Sequence, residues 1–304
     1  MPLLSVVVPT KDRAPRLRVA LESLSAQTLR DLEVIVVDDG STDSTRTLLD
    51  EVTDSDPRIR VVLLDGGNGA AATRNRGIET ATGKFLAFLD DDDEWHPRKA
   101  EVQVEYLKAH PAVGIVGCDF TVVDERTGRA ARYRGPERFT PFAMLWVNVM
   151  GGCSFPMLHR SAFATDPRFD ASMIAAEDWD LWLRCTDEKE VAWLGDVLCR
   201  YVLHGRQLSG ALERRHRGDS AFFAKHAARM PERVQAFHRA LLRMLERGGF
   251  GPRMRSRATI LATTPPSVVA VIARLSVSSR IGRMIGDPGR PVRTLVQSVR
   301  RYEP

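Results

Sequence analysis

The apolar run from Lys84 to Leu89 is followed at once by four aspartates, Asp90 to Asp93. A run of that length and composition reads as a short buried strand, which puts the carboxylates at its carboxyl end. Adjacent carboxylates repel one another and are poor strand formers. A fold keeps such a cluster most easily when a cation neutralises it. Hard divalent cations, Mg²⁺ or Mn²⁺, take oxygen ligands and bridge to phosphate. Open α/β sheets bind ligands at the carboxyl ends of their strands. Position and chemistry therefore point together to a metal-diphosphate site. The alternative is a solvated acidic turn in which Asp93 or Glu94 caps the helix beginning near Pro97.

The rest of the first half supplies the sheet that such a site needs. Ser5 to Val8 is a β-branched run closed by Pro9, and an amphipathic pattern follows from Pro15 to Gln27. Leu32–Val37 and Arg58–Leu64 read as further strands, with helical segments to about Val52 and from Ala70 to Ala81. Pro97 to His110 reads as helix and Val113 to Val123 as strand. This alternation predicts an α/β fold with a mostly parallel sheet flanked by helices on both faces. After Asp124 the pattern loosens. Gly151–His159 reads as a strand, Ala176–Asp187 as a helix, and Val191–His204 as strand, turn, strand around Gly195. A helical period returns from Glu213 to Arg247.

Charge divides the chain. Residues 1–205 carry a net −9 and residues 206–304 a net +14, giving the total of +5. We expect one domain over 1–210, with a nucleotide-binding half (1–124) and an acceptor half (125–210). Residues 211–304 are expected to form a basic helical appendage. Such a tail suits an anionic surface or a homodimer contact, or packs on the acidic body. Arg290, Arg293, Arg300 and Arg301 accompany Val292, Leu295, Val296 and Val299 on what could be one amphipathic face. Cys118, Cys153, Cys185 and Cys199 have no metal-ligand spacing and read as reduced, mostly buried thiols. With no leader-like start and no uninterrupted apolar span, the chain is expected to be cytoplasmic, with peripheral membrane contact through the tail. No nucleic-acid partner is expected.

Further polar groups stand where strands end. Pro9, Thr10, Lys11, Asp12 and Arg13 follow the first strand, and Asp38-Asp39-Gly40-Ser41 the second. An aspartate there can accept hydrogen bonds from a base or ribose, or serve only as a turn cap. Arg74 and Arg76 offer planar donors to a base or phosphate, or form a solvated basic face. Glu177 and Asp178 begin a helix, where they complement its dipole or present one carboxylate as a general base. Trp179 and Trp182 share a face and read as core. His204, with Arg206 and Ser209, follows a strand.

In order and spacing these groups resemble the family-two glycosyltransferases of the GT-A fold. The resemblance rests on Val8-Pro9-Thr10, Val36 to Ser41, Arg74-Asn75-Arg76-Gly77, Phe88 to Asp93 and Glu177-Asp178-Trp179, and covers roughly residues 3–210. It implies an inverting transfer from a nucleoside-diphosphate sugar, with UDP as the expected nucleotide, to a glycan, lipid-linked or small-molecule acceptor. Asp39 would contact the base, with Pro9, Thr10 and Arg13 lining the same pocket. Arg74 would be a second base or phosphate contact. Asp90 and Asp92 match an Asp-x-Asp motif, Asp90 toward ribose or metal and Asp92 as the metal ligand. Asp91 joins the nucleotide set, because the motif's middle residue is usually small and the register is open by one. Asp178, with Glu177 as fallback, matches the general base, and His204 the histidine that helps hold metal or diphosphate. The implied cofactor is Mn²⁺ or Mg²⁺. A sugar-phosphate nucleotidyltransferase would show a Gly-rich loop after the first strand, which Pro9 to Arg13 lacks. A non-catalytic nucleotide-binding protein with a basic tail would not need an intact Asp178. Acceptor choice is expected from residues 125–160 and the C-terminal helices.

Overall fold

Three short strands of Val, Ile and Leu begin the chain, and in the computed structural model they pair in parallel. The structure describes residues 1–135, 141–162, 168–187, 189–204 and 212–246. Strand β1 (Leu4–Thr10) is followed by α1 (Ala14–Ser25), β2 (Leu32–Asp38), α2 (Thr45–Ser55), β3 (Ile59–Leu63), α3 (Gly69–Thr80) and β4 (Phe85–Phe88). Two outward steps carry the chain from β1 to β2 to β3. Helix α3 then returns it past β1, so that β4 pairs with β1 on the other side, Val7 opposite Phe88. The strand order reverses at β1, and the crevice at the carboxyl ends of β1 and β4 is the switch point of the sheet.

Beyond β4 come β5 (Glu94–Trp95), α4 (Lys99–Ala109), β6 (Val113–Asp124), β7 (Ala130–Tyr133), β8 (Met157–His159), α5 (Glu177–Cys185) and β9 (Glu190–Leu203). The sheet order is β3-β2-β1-β4-β8-β6-β9-β5, with β7 on β6. Strands β5, β7 and β8 pair antiparallel, so this half is more mixed than the sequence pattern predicts. Only Met157–His159 of the expected Gly151–His159 strand is extended; residues 151–156 form the loop above the site. The turn expected around Gly195 is a bulge inside one long β9, where the register jumps between Cys118/Leu194 and Asp119/Val197. Gly195 and Asp196 are the extra residues there, and their turn-like composition is what suggested a hairpin.

Alternation along β1 divides the core by face. Leu4, Val6 and Val8 pack with α1, α2 and α4, while Val7 packs with α3, α5 and the C-terminal helices. Each fully buried Val, Leu or Phe in these layers contributes about 1.5–3 kcal/mol. Helices α6 (Leu212–His226) and α7 (Glu232–Glu246) complete the second layer: Phe222, Val234, Phe237 and Ala240 share a cluster with Trp146, Trp179 and Trp182. The expected continuous helix is interrupted by a 3₁₀ turn at Ala227–Arg229 before Pro231, because proline cannot continue the hydrogen-bond ladder. Of residues 211–304, expected to form the basic appendage with its anionic-surface or dimer contact, 212–246 pack against the body as these helices, and 247–304 lie outside the described residues. Among the described residues, no helix is long and apolar enough to cross a membrane.

Helix α3 lies very close to the sheet at Gly77. A Cβ there would stand 2.3 Å from Val7 Cγ1 and 3.2 Å from Val37 Cγ2, both in the floor beneath the helix. Gly77→Ala should therefore cost about 1–3 kcal/mol from overpacking, despite alanine's better helix propensity. Urea unfolding checks this. In a double-mutant cycle with Val7→Ala, the loss should shrink. Wild-type stability for Gly77→Ala would contradict the packing.

Candidate functional site

The four aspartates do not share one environment. Leu89 N–H bonds to Val7 O, so β4's pairing runs to the edge of the acidic turn. Along that turn the side chains alternate. Asp90 and Asp92 are part-exposed, with side chains 30% and 10% exposed, whereas Asp91 and Asp93 are buried. Asp93 accepts the Val202 N–H of β9 at 3.2 Å, and burial pushes its carboxyl well above the usual carboxylate range. Asp91 accepts the Thr10 hydroxyl at 2.8 Å and Arg13 Nη1 at 2.9 Å. Burial pushes Asp91 up to about 6, against the pull of Arg13. Thr10 and Asp91, both expected to touch nucleotide, thus bond to each other beneath the surface.

The outward pair is also partnered. Arg74 Nη2 donates to Asp90 Oδ1 at 2.6 Å, and Arg74 Nη1 to Glu177 Oε1 at 3.3 Å. Arg13 Nη1 donates to Asp92 Oδ2 at 2.8 Å, the same oxygen that lies 2.8 Å from His204 Nε2. The repulsion that suggested a bound cation is therefore met by the protein's own arginines. Arg76, grouped with Arg74 in the sequence, is exposed and pairs with Glu79. Arg206 and Ser209, grouped with His204, lie outside the described residues.

Asp39 lies at the end of β2. Its carboxylate accepts the Asn68 side-chain amide at 2.8 Å and the backbone N–H groups of Asn68 and Gly69 at 3.1 and 3.3 Å. These bonds fasten the loop before α3 to the rim of the cleft, with Lys11 Nζ 3.9 Å away. The loop can reach Asp39 because Gly40 and Gly66 meet back to back: a Cβ on Gly40 would lie 2.7 Å from Gly66 Cα. Both glycines have positive φ, which suits them to this turn. Pro9 pairs opposite Val37 just below.

On the facing wall, α5 presents Glu177 and Asp178 in its first turn. Ala176, with φ 61° and ψ 16°, turns the chain into the helix from the left-handed region. Asp178 accepts its neighbour Trp179's N–H at 2.7 Å and the Asn148 side-chain amide at 3.3 Å. The residue is half-buried, and burial pushes its carboxyl up to about 7, with the charge of Glu177 pushing the same way. Behind it, Trp179 Nε1 donates to Met144 O at 2.7 Å, and its ring stacks on Phe222 of α6 at 3.8 Å. Asp180 is fully buried among His226, Lys225 and Arg184. Gly218 lets α6 press on the turn before α5, since a Cβ there would lie 2.7 Å from Ala175 Cβ.

Sequence reasoning missed Asn68, Asn148 and Ser154. Ser154 Oγ accepts the Asp90 N–H at 3.1 Å and its carbonyl accepts Trp95 Nε1 at 3.0 Å, fixing the acidic turn from below. Nothing in the local patterns of these residues marks them. Asn148 and Ser154 matter because they link residues 148–154 to Asp178 and Asp90, and Asn68 because it holds Asp39.

Whether this set suits a divalent cation can be tested on its donors. Among the described residues, no three acidic, histidine or cysteine side chains converge on one point as a closed metal cage. Asp92 Oδ2 and His204 Nε2 do converge, and the Asp90 side chain is 30% exposed nearby in the turn. Cations of the Mg²⁺ class are commonly held by one or two protein carboxylates, with substrate phosphates completing the shell. The residues fit that mode.

The comparisons bear on the same segment. A family model described as Glycosyl transferase family 2 matches residues 5–165. A glycosyltransferase of Rickettsia prowazekii, RP339, is 28% identical over 213 residues, covering 68% of this chain and 65% of that protein. The Escherichia coli enzyme WfgD, named UDP-Glc:alpha-D-GlcNAc-diphosphoundecaprenol beta-1,3-glucosyltransferase, is 27% identical over 209 residues, 68% of this chain and 79% of its own length. In fold, the chain is similar to residues 1–349 of S. aureus TarS in complex with UDP-GlcNAc (TM-score 0.64, 18% identity, 99% of this chain and 93% of that one). It is also similar to the mannosyltransferase PcManGT of Pyrobaculum calidifontis in complex with GDP-Man and Mn²⁺ (TM-score 0.63, 20% identity, 99% and 84%). The mixed sheet with its flanking helices is the GT-A fold of these structures. Since the matched segment runs from β1 through the acidic turn to β8 and covers more than half of the sequence, the chain belongs to glycosyl transferase family 2.

Proposed function

We propose that the protein transfers a sugar from a UDP-sugar to an acceptor hydroxyl in a single displacement that inverts the anomeric carbon. The observation that carries this reading is Arg74. One buried guanidinium bonds to Asp90 of the acidic turn and to Glu177 beside Asp178, so donor-side and acceptor-side carboxylates share one cleft. Asp39, with Pro9 beneath it, lines the base pocket; Arg13, expected in that pocket from the sequence, bonds instead to Asp91 and Asp92, and this reading puts it beside the diphosphate. The similar proteins support a nucleotide-sugar donor by name: UDP-glucose for WfgD, and complexes with UDP-GlcNAc for TarS and GDP-mannose for PcManGT. WfgD's name also makes a lipid-diphosphate-linked sugar a reasonable acceptor class.

Asp178 acts as general base. It takes the hydroxyl proton as the acceptor oxygen bonds to the anomeric carbon and the bond to the diphosphate oxygen breaks. An environment that raises the carboxyl toward neutrality makes it a better proton acceptor at working pH. Asn148 and the Trp179 N–H orient it. Asp92 and His204, with Asp90 beside them, would hold Mn²⁺ or Mg²⁺. Bound there, the cation supplies positive charge for the leaving diphosphate.

Calorimetry should show UDP binding that needs Mn²⁺ and disappears on chelation. Asp92→Asn should abolish the metal-dependent part. Asp93→Asn should retain it within a few-fold, because the buried Asp93 faces β9, where an amide oxygen can still accept the Val202 N–H. Equal UDP affinity with and without metal would refute the cation's role.

Asp178→Asn should keep donor binding and lower turnover on the order of 10²–10⁴-fold. The sign of the pH dependence follows from the raised carboxyl. The base works when deprotonated, so kcat/KM should rise with pH and level off above an inflection at about 7. Turnover by Asp178→Asn at the wild-type rate, or a profile flat from pH 5 to 8, would remove Asp178 from this role.

A further inference from the structure

Arg13 occupies an unusual position for a residue that faces a diphosphate. Its Nη1 lies 2.9 Å from Asp91 Oδ1 and 2.8 Å from Asp92 Oδ2, between the inward and the outward carboxylate. Asp92 Oδ2 is also the oxygen on which His204 converges. A guanidinium nitrogen therefore stands where the proposed cation's two protein donors meet. Two positive charges cannot share that oxygen at contact distance without a large repulsion. The site's other arginine, Arg74, cannot exchange in this way. Its side chain is 8% exposed and is held from both sides by Asp90 and Glu177. The Arg13 side chain is 25% exposed and rises from the residue just before α1, at the rim of the cleft.

We propose that Arg13 is the resident counter-cation of the acidic turn, that a divalent cation must displace it from Asp92, and that the donor's diphosphate takes it up. This rests on the donor reading above and adds a binding order to it. Without nucleotide, the cation competes with an ion pair already in place. With nucleotide, the released guanidinium gains an anion that it matches in geometry and charge. Metal and nucleotide thus bind as a coupled pair, each raising the other's affinity by the same factor. Asp91 keeps its Thr10 bond when Arg13 leaves, so the inward half of the turn stays anchored.

The test is equilibrium binding, with no turnover required. Mn²⁺ is titrated into wild type, Arg13→Met and Arg13→Lys, with and without UDP, by calorimetry and by electron paramagnetic resonance of free Mn²⁺. In wild type, saturating UDP should tighten Mn²⁺ binding by a factor on the order of 5–150, the usual range of coupling between sites. Arg13→Met should bind Mn²⁺ more tightly than wild type without UDP, because no resident cation competes, and its coupling should fall to the part that direct contact between cation and diphosphate supplies. Arg13→Lys keeps the charge and should keep weak Mn²⁺ binding without UDP, which also guards against misfolding of the Met variant. Arg13→Met binding bare Mn²⁺ no tighter than wild type, or coupling unchanged in that variant, overturns the assignment. If wild type binds neither Mn²⁺ nor UDP in any combination, the donor reading fails, and the role of Arg13 fails with it.

Discussion

Packing four carboxylates into one turn at the end of a buried strand is the constraint around which this structure is arranged. The fold meets it in two ways. Alternation sends Asp91 and Asp93 inward, where burial favours their neutral acids, and leaves Asp90 and Asp92 facing the cleft. Arginine and histidine side chains from distant parts of the sequence then bond to Asp90 and Asp92. Arg13 comes from the start of α1 and Arg74 from α3, while His204 follows β9. Each of these elements is positioned by packing on the sheet, so the electrostatics of the turn depend on the whole layer order. The same alternation leaves the first and third of the four the more exposed, and these are the two proposed to face the donor.

The second wall of the cleft depends on the C-terminal helices. Helix α5 is short, and its leading residue, Ala176, sits in a backbone conformation that non-glycine residues seldom adopt. Surrounding structure must hold such a turn in place. Here Trp179 stacks on Phe222, Asp180 is locked by His226 and Lys225, and Gly218 admits α6 against Ala175. Residues read in the sequence as a basic appendage thus include two helices that brace the turn carrying Asp178.

Much of the nucleotide-side architecture was legible because local signals agreed with the fold. β-branched runs, intervening amphipathic helices and polar strand ends all pointed to one α/β sheet. What escaped depended on contacts between distant segments. The bulge at Gly195–Asp196 looks like a hairpin turn locally, and only its pairing with β6 shows a single strand. Residues 151–156 are apolar enough for a strand, yet they are held as a loop by Ser154 and by Asn148, which bonds to Gly151. Asp39 was legible as a strand-end carboxylate, but its clasp on Asn68 and Gly69 was not, since that requires two loops to meet at Gly40 and Gly66. Internal pairing of the aspartates by arginine was also hidden, because charge alone does not say whether a cation comes from the protein or from solvent.

The central claim is that the outward half of the acidic turn is the diphosphate-metal end of a donor site. Anomalous scattering from a crystal grown with UDP and Mn²⁺ tests it most directly. The account predicts one manganese peak within ligand distance of Asp92 and of the UDP diphosphate, with Asp91 and Asp93 still turned inward. UDP bound in the cleft with no manganese at Asp92, or manganese held by Asp91 or Asp93 instead, would contradict it.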